Sequence, residues 1–453
     1  MSKKQKSIFD RMIRFSVRIV NEFLPDPFIF CALLTFIVFL SAPPVTGMTP
    51  IDAITGWYSG FWNLLAFSMQ MVLVLVLGHA MANSGPFSVL LAKMASTLKT
   101  PAQSIIAVSF ISLIASWFNW GFGLVIGAIF AKEIAKKVKG VDYRLLIASA
   151  YTGFLVWHGG LSGSIPLTIA TEGNLAKITQ NTITGTIDVA ETLFSMQNIV
   201  ILIILLFTVP LLNCFMHPKE VDTVVVDPEL LKEHTPKMNT TNTWADRMEN
   251  SKLISGFLAL MGLVFIGQYF YTKGLDLNLN IVNFIFLFIG IILHKTPKNY
   301  IQAIRNAVVS SSGIILQFPF YAGIMGIMVA KGPEGISLAG ALSNFFVSIS
   351  TPQTFPFFTF LSAGIVNFFV PSGGGQWAVQ APIMLPAAKE LGVSVAKTSM
   401  AISWGDAWTN MIQPFWALPA LGIAGLGARD IMGYCLIILV YSGVVISAAM
   451  LVL

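Results

Sequence analysis

The chain has 453 residues, of which 55% are apolar and only 11% charged, with a mean hydropathy of +0.76 and a formal net charge of +6. Soluble domains carry about a quarter charged residues, so this composition excludes a soluble domain and predicts an all-α polytopic membrane protein. Its basic residues cluster as a topology signal and not as a nucleic-acid footprint, which also excludes a nucleic-acid partner and makes the lipid bilayer the expected one.

Residues 1–26 begin "MSKKQK" and continue as the basic, amphipathic "SIFDRMIRFSVRIV", which predicts an interfacial helix on the cytoplasmic side and no cleaved signal. Apolar runs then predict membrane spans near 27–44, 62–83, 194–216, 252–271, 278–294, 307–330 and 430–452. A polar, mixed-charge stretch at 217–251 reads as a cytoplasmic linker between a first transmembrane half, 27–216, and a second, 252–453. Cys31, Cys214 and Cys435 lie in apolar runs without paired spacing and read as small buried hydrophobes.

The two halves share a plan. "IDAI" at 51–54 returns as "IQAI" at 301–304, and Gln70, Gly85 and Pro86 return as Gln317, Gly332 and Pro333. Gly121, Gly123 and Gly153 return, at one constant spacing, as Gly373, Gly375 and Gly405. Ordered matches of Gly, Pro and Gln predict an internal duplication. The basic clusters at the N-terminus, Lys132–Arg144 and Lys295–Arg305 share one side only if 101–135 dips in and out of the membrane. That segment is then a re-entrant hairpin with its tip at "NWGFG", Asn119 to Gly123. Its counterpart, 352–388 with the tip "PSGGG", enters from the other side. This is an inverted-topology repeat, a plan of secondary transporters with a midplane site at the repeat interface. Each hairpin is followed by a broken helix, 144–170 interrupted at "WHGGLSGSIP" and 395–424 interrupted at "SWGDAWTNMIQP".

Non-helical backbone at membrane depth is tolerated only where protein buries it or a water-filled cavity receives it. At the second tip Ser372, Gly373, Gly374, Gly375 and Gln376 open a helix whose N-terminus favours an anion, and they are the leading carboxylate-binding candidates. Asn119, Gly121 and Gly123 at the first tip, and Thr409 and Asn410 at the second break, join them, with Gln413 nearby. A glycine-permitted turn packed on a neighbour is the bland alternative. Asp406 is the acidic residue deepest in any expected span and the favoured coupling residue, as a sodium ligand or a proton carrier. Ser162 and Ser164 at the first break, His158 (aligned with Asn410 in the repeat) and Asn367 complete the ion-coupling set. Sodium, if it is the coupling ion, is expected near Asn119, Ser162, Asn367 and Asp406. Trp117, Trp120, Trp377, Trp404 and Trp408 cluster near tips and breaks, as a pocket wall or as packing. No P-loop, zinc spacing or nucleophile elbow is present, so neither an ATP-driven pump nor an enzyme is expected, and no cofactor beyond Na+ or H+.

The stretches "NFFVPSGGGQWAVQAPIMLPAA", "SWFNWGFGLVIGAIFAKEIA" and "ISWGDAWTNMIQPFWALPALGIAG" resemble the short-chain fatty acid uptake family of the ion transporter superfamily, a resemblance that runs over nearly the whole chain. It implies a bacterial inner-membrane carrier of short monocarboxylates such as butyrate or acetoacetate. It also implies a homodimer with a scaffold domain and a transport domain that moves as an elevator. An apolar site without a deep Arg or Lys suits one carboxylate better than two, since helix termini offer only partial charges. A C4-dicarboxylate or other carboxylate carrier of the same superfamily, or a passive anion channel, is the alternative.

Overall fold

A computed structural model describes residues 8–23, 26–82, 84–179, 181–227, 231, 243–274 and 279–453. Residues 1–7 of the expected interfacial helix, and 228–230 and 232–242 of the expected linker, lie outside them.

The chain is all-helical, and its prolines, glycines and small polar residues mark where helices start and stop. The first half runs α1 (Ile8–Phe23), α2 (Pro27–Thr46), α3 (Pro50–Phe61), α4 (Leu65–Ala82), α5 (Gly85–Ser96), α6 (Pro101–Phe118) and α7 (Trp120–Lys137). It continues with α8 (Tyr143–Tyr151), a 3-10 turn (Thr152–Gly159), α9 (Ser164–Ala170), α10 (Asn174–Ile178) and α11 (Met196–Phe215). After α12 (Trp244–Glu249) come α13 (Lys252–Lys273), α14 (Leu279–His294), α15 (Pro297–Val308), α16 (Ser312–Val329) and α17 (Leu338–Ser348). Then follow α18 (Phe355–Phe369), α19 (Gly373–Glu390), α20 (Val395–Thr409), a 3-10 turn (Asn410–Ile412), α21 (Pro414–Ala424) and α22 (Ala428–Val452). Pro27, Pro50, Pro101, Pro297 and Pro414 stand at first helical positions, where the missing N–H costs nothing and the fixed φ is already helical. Thr49 and Asp52 close α3 with a reciprocal capping box, and α2 ends at Gly47 in the left-handed region, φ 72.

Among the described residues six helical stretches are long and apolar enough to cross a membrane: Phe28–Thr46, Pro101–Phe118, Met196–Phe215, Trp244–Lys273, Ser312–Val329 and Ala428–Val452. By this measure α6, expected as a hairpin arm, is as long as a span. The expected spans at 62–83 and 278–294 hold shorter apolar stretches, Ser68–Met81 and Asn280–His294.

The halves interlock. α3 and α2 pack on α16, while α15 and α14 pack on α4. Deeper in, α6 crosses the turn Thr152–Gly159 and α18 crosses α20. Both crossings need a glycine. A Cβ on Gly153 would lie 2.4 Å from the Ser112 carbonyl carbon, and one on Gly405 2.4 Å from the Phe360 carbonyl oxygen.

α1 lies along α22, where the Ser16 hydroxyl donates to the Gly433 carbonyl at 2.6 Å. The chain after α11 docks on the start of α8. Fully buried Asp142 accepts there from the amides of Leu145 (2.8 Å) and Val224 (2.7 Å), and its own amide donates to His217 Nε2 at 3.2 Å. A cavity of about 680 Å³ lined in part by Arg18, Arg144, His217 and Tyr434 opens at this dock, and none of its lining residues belongs to the tips or breaks.

Candidate functional site

The two expected tips have the same local structure. Asn119, the single residue between α6 and α7, is extended (φ −154, ψ 122), and its side chain accepts from the Phe122 amide at 2.9 Å. Ser372, before α19, is likewise extended (φ −153, ψ 114) and accepts from the Gly375 amide at 3.3 Å. Each is an N-cap that turns the chain into a new helix and satisfies one of its four otherwise unpaired amides.

Each break then folds against a tip. In the first half the Trp120 amide donates to Ser162 Oγ (3.0 Å), and the Leu161 amide donates to the Trp117 carbonyl (2.7 Å). In the second half Gln413 Nε2 donates to the Phe368 carbonyl (2.7 Å) and the Tyr321 hydroxyl donates to Gln413 Oε1 (3.2 Å). Asn367, on the arm leading to the second tip, donates through Nδ2 to the Asp406 carbonyl (2.8 Å), Thr409 Oγ1 (3.0 Å) and Asn410 Oδ1 (2.7 Å).

The halves meet where the second tip reaches the first break. A Cβ on Gly373 would lie 2.3 Å from Ser164 Oγ, 2.9 Å from His158 Cε1 and 3.2 Å from the Trp157 ring. His158 and Asp406 are both fully buried, and His158 Nδ1 lies 2.9 Å from Asp406 Oδ2. On the other side of the ring, Nε2 faces Ser164 Oγ at 3.0 Å and the Ile165 amide at 3.2 Å. Trp157 stacks on His158 (centroids 4.0 Å apart, 19°), and Trp120 meets Trp416 edge-on at 5.4 Å. Among the described residues Asp406 pairs with no lysine or arginine. Asp406 Oδ1 is buried without a hydrogen-bond partner, as are Oδ1 of Asn367 and Nδ2 of Asn410, whose residues are linked to Asp406 through Asn367 Nδ2. The two oxygens are hard donors of the kind an alkali cation takes, and an unpaired buried carboxylate oxygen is costly without a proton or a cation. No group of three or more His, Cys, Asp or Glu among the described residues is arranged to hold a metal ion.

Several candidates are placed differently from the sequence expectation. Ser162 lies at the first tip but Ser164 abuts the second, so the two serines do not form one cluster. Gly123 faces Ser116, where a Cβ would fall 2.1 Å from Oγ, so its smallness serves the α6–α7 contact; Gly121 is buried in the first turn of α7. Gln376 turns back onto the hairpin, donating to the Ala363 carbonyl (2.9 Å) and Gln380 Oε1 (2.8 Å). Trp404 donates to Asn198 Oδ1 (3.0 Å) and packs on Gly159, and Trp408 donates to the Leu439 carbonyl (2.7 Å) and packs on Gly364 and Gly443. Gly374, by contrast, faces open space, with nothing within 4 Å of an added Cβ.

Sequence reasoning missed three supports. The Tyr151 hydroxyl donates to the Asn410 carbonyl, tying the two breaks together. Tyr321 holds Gln413. Asn198 donates to the Gly159 carbonyl at 2.9 Å while accepting from Trp404. A polar side chain in the first turn of an apolar span was the available signal for Asn198; the tyrosines carried none.

A family model described as short chain fatty acid transporter matches residues 8–453. A protein of Escherichia coli (strain K12) named "Putative short-chain fatty acid transporter" is 47% identical over 438 residues, 96% of this chain and 98% of that one. One of the same name from Haemophilus influenzae is 45% identical over 441 residues, again 96% and 98%. The crystal structure of the Alcanivorax borkumensis YdaH transporter aligns over 94% of this chain and 98% of that one, at 16% identity and a TM-score of 0.44, a likeness too low to define the fold.

Proposed function

The chain belongs to the short chain fatty acid transporter family, and from that membership we propose that it is a secondary active symporter that moves short monocarboxylates, such as butyrate or acetoacetate, with Na+ or H+. It is a membrane protein of a transporter family and not an enzyme. The observation that carries the proposal is the second tip. At the start of α19 the exposed Gly374 follows a buried Gly373 that packs on His158, so the helix start lies one imidazole away from a fully buried Asp406 whose Oδ1 has no partner. The α19 N-terminus favours one carboxylate. Cargo anion and Asp406 would place two negative charges close together in an apolar, aromatic-walled site, and a cation carried with the anion relieves both.

In this reading the two halves are inverted-topology repeats, with 101–135 and 352–388 as re-entrant hairpins opening to opposite sides. The closely similar backbone at Asn119 and Ser372 supports it, as do the paired glycine crossings and the reciprocal packing of α3 on α16 and α15 on α4. Sodium, if it is the coupling ion, takes Asp406 Oδ1 and Asn367 Oδ1. The α2–α5 and α13–α17 helices form the scaffold, and the hairpins with the broken helices form the part that moves, elevator-fashion, in a homodimer. The site lies in a bacterial inner membrane with the N-terminus in the cytoplasm.

The test is uptake of labelled butyrate by protein reconstituted in liposomes. Saturable, protein-dependent uptake competed by acetoacetate and not by succinate is the expected result. Competition by succinate stronger than that by unlabelled butyrate would replace the monocarboxylate with a dicarboxylate.

A further inference from the structure

The hydrogen bonds around His158 fix which of its atoms carries the proton. The Ile165 amide can only donate, and it points at Nε2 from 3.2 Å. Nε2 therefore presents its lone pair, and the ring proton sits on Nδ1, donating to Asp406 Oδ2 at 2.9 Å. An imidazole nitrogen has one in-plane lone pair, and two donors compete for this one. The Ile165 amide is held by the backbone of α9. The Ser164 hydroxyl, 3.0 Å away, turns freely about its Cβ–Oγ bond. Of the two, the hydroxyl is the donor that can leave.

Its other neighbour is the second tip. Ser164 Oγ occupies the place a side chain on residue 373 would need, so only a glycine there lets the hydroxyl reach the start of α19. Beside it Gly374 faces open space. A carboxylate seated on the first amides of α19 would then have the Ser164 hydroxyl as a neighbour across Gly373. When Ser164 turns to it, Nε2 is not left bare, because the Ile165 amide remains. The exchange replaces a shared bond to a neutral nitrogen with a bond to an ionised oxygen, the stronger of the two kinds.

We infer that Ser164 is a cargo-binding residue at the second tip, and not a cation ligand at the first: its hydroxyl passes from His158 to the cargo carboxylate on binding, and His158 with Asp406 positions it. The inference rests on the monocarboxylate reading above, and the closing experiment separates the two.

The experiment is equilibrium binding of labelled butyrate to purified full-length protein at saturating sodium, and again at acidic pH without sodium, with thermal melting as a folding control. Wild-type protein binds. Ser164→Ala weakens binding roughly ten- to a hundredfold, the range for losing a hydrogen bond to a charged group. Ser164→Thr, which keeps the hydroxyl, restores it to within about threefold. If Ser164→Ala does not fold, Ser164→Gly removes the same hydroxyl and is expected to show the same loss. Wild-type binding with unchanged affinity in the alanine or glycine variant, or a loss that threonine does not restore, overturns the role of Ser164 while leaving the monocarboxylate reading in place. Absence of butyrate binding by the wild-type protein in either condition removes that reading and the inference with it.

Discussion

Asp406 keeps one carboxylate oxygen on His158 and leaves the other buried without a partner. An asparagine at this position can still accept from His158 Nδ1 through its carbonyl oxygen, so Asp406→Asn is expected to fold while losing the charge. Gly374→Val places its side chain in open space and is expected to leave thermal stability unchanged while abolishing butyrate uptake. Normal uptake by that variant would show that no ligand comes close to the tip. Gly405→Ala separates packing from function in the opposite way. Its Cβ meets the Phe360 carbonyl at 2.4 Å, and overpacking of this kind costs about 1–3 kcal/mol, read as a lowered melting temperature. At this scale the sequence was partly legible. Residue types were informative, because an acid, a histidine and an asparagine stand out in apolar runs. Their partners were not, because His158 and Asp406 are 248 positions apart and only the packing of one half on the other joins them. Ser162 and Ser164 looked equivalent two residues apart, yet the loop between Gly160 and α9 sends them to different tips.

Helix boundaries were the most legible feature. Proline at a first turn, and Asn or Ser before a glycine-containing helix start, are local signals that need no tertiary context, and α3, α6, α7, α19 and α21 begin on them. What a hairpin does in the membrane is not local. α6 is long and apolar enough to cross, and within the sequence it is the distribution of Lys and Arg that argues for a re-entrant arm. Labelling from the two sides of the membrane decides it. In a background without Cys31, Cys214 and Cys435, Lys99→Cys is expected to react with an impermeant thiol reagent from the cytoplasmic side alone, and Thr351→Cys from the outer side alone. Reaction of both from one side would rule out opposed hairpins.

Across the whole molecule, the two halves are joined at the centre by Tyr151 on Asn410 and His158 on Asp406, and the linker is tied to the first half by the docking of residues 217–226 on Asp142. Asp142→Ala leaves the buried Leu145 amide without its acceptor, a loss of about 1–3 kcal/mol, and releases the amide of the more exposed Val224. The expected result is faster proteolytic cleavage within 217–227. The sequence identified this region as polar but held no sign of the dock, since Asp142 and Val224 are 82 positions apart. The central claim, that anion and cation are carried together through Asp406, is tested most directly by accumulation in liposomes. Labelled butyrate is offered under an imposed sodium gradient, a pH gradient or neither, with protein-free liposomes as the control for acid crossing the lipid. Wild-type protein is expected to concentrate butyrate above equilibrium under one of the gradients, and Asp406→Asn only to equilibrate it. Butyrate that never exceeds equilibrium with wild-type protein, or that Asp406→Asn concentrates equally well, would contradict the account.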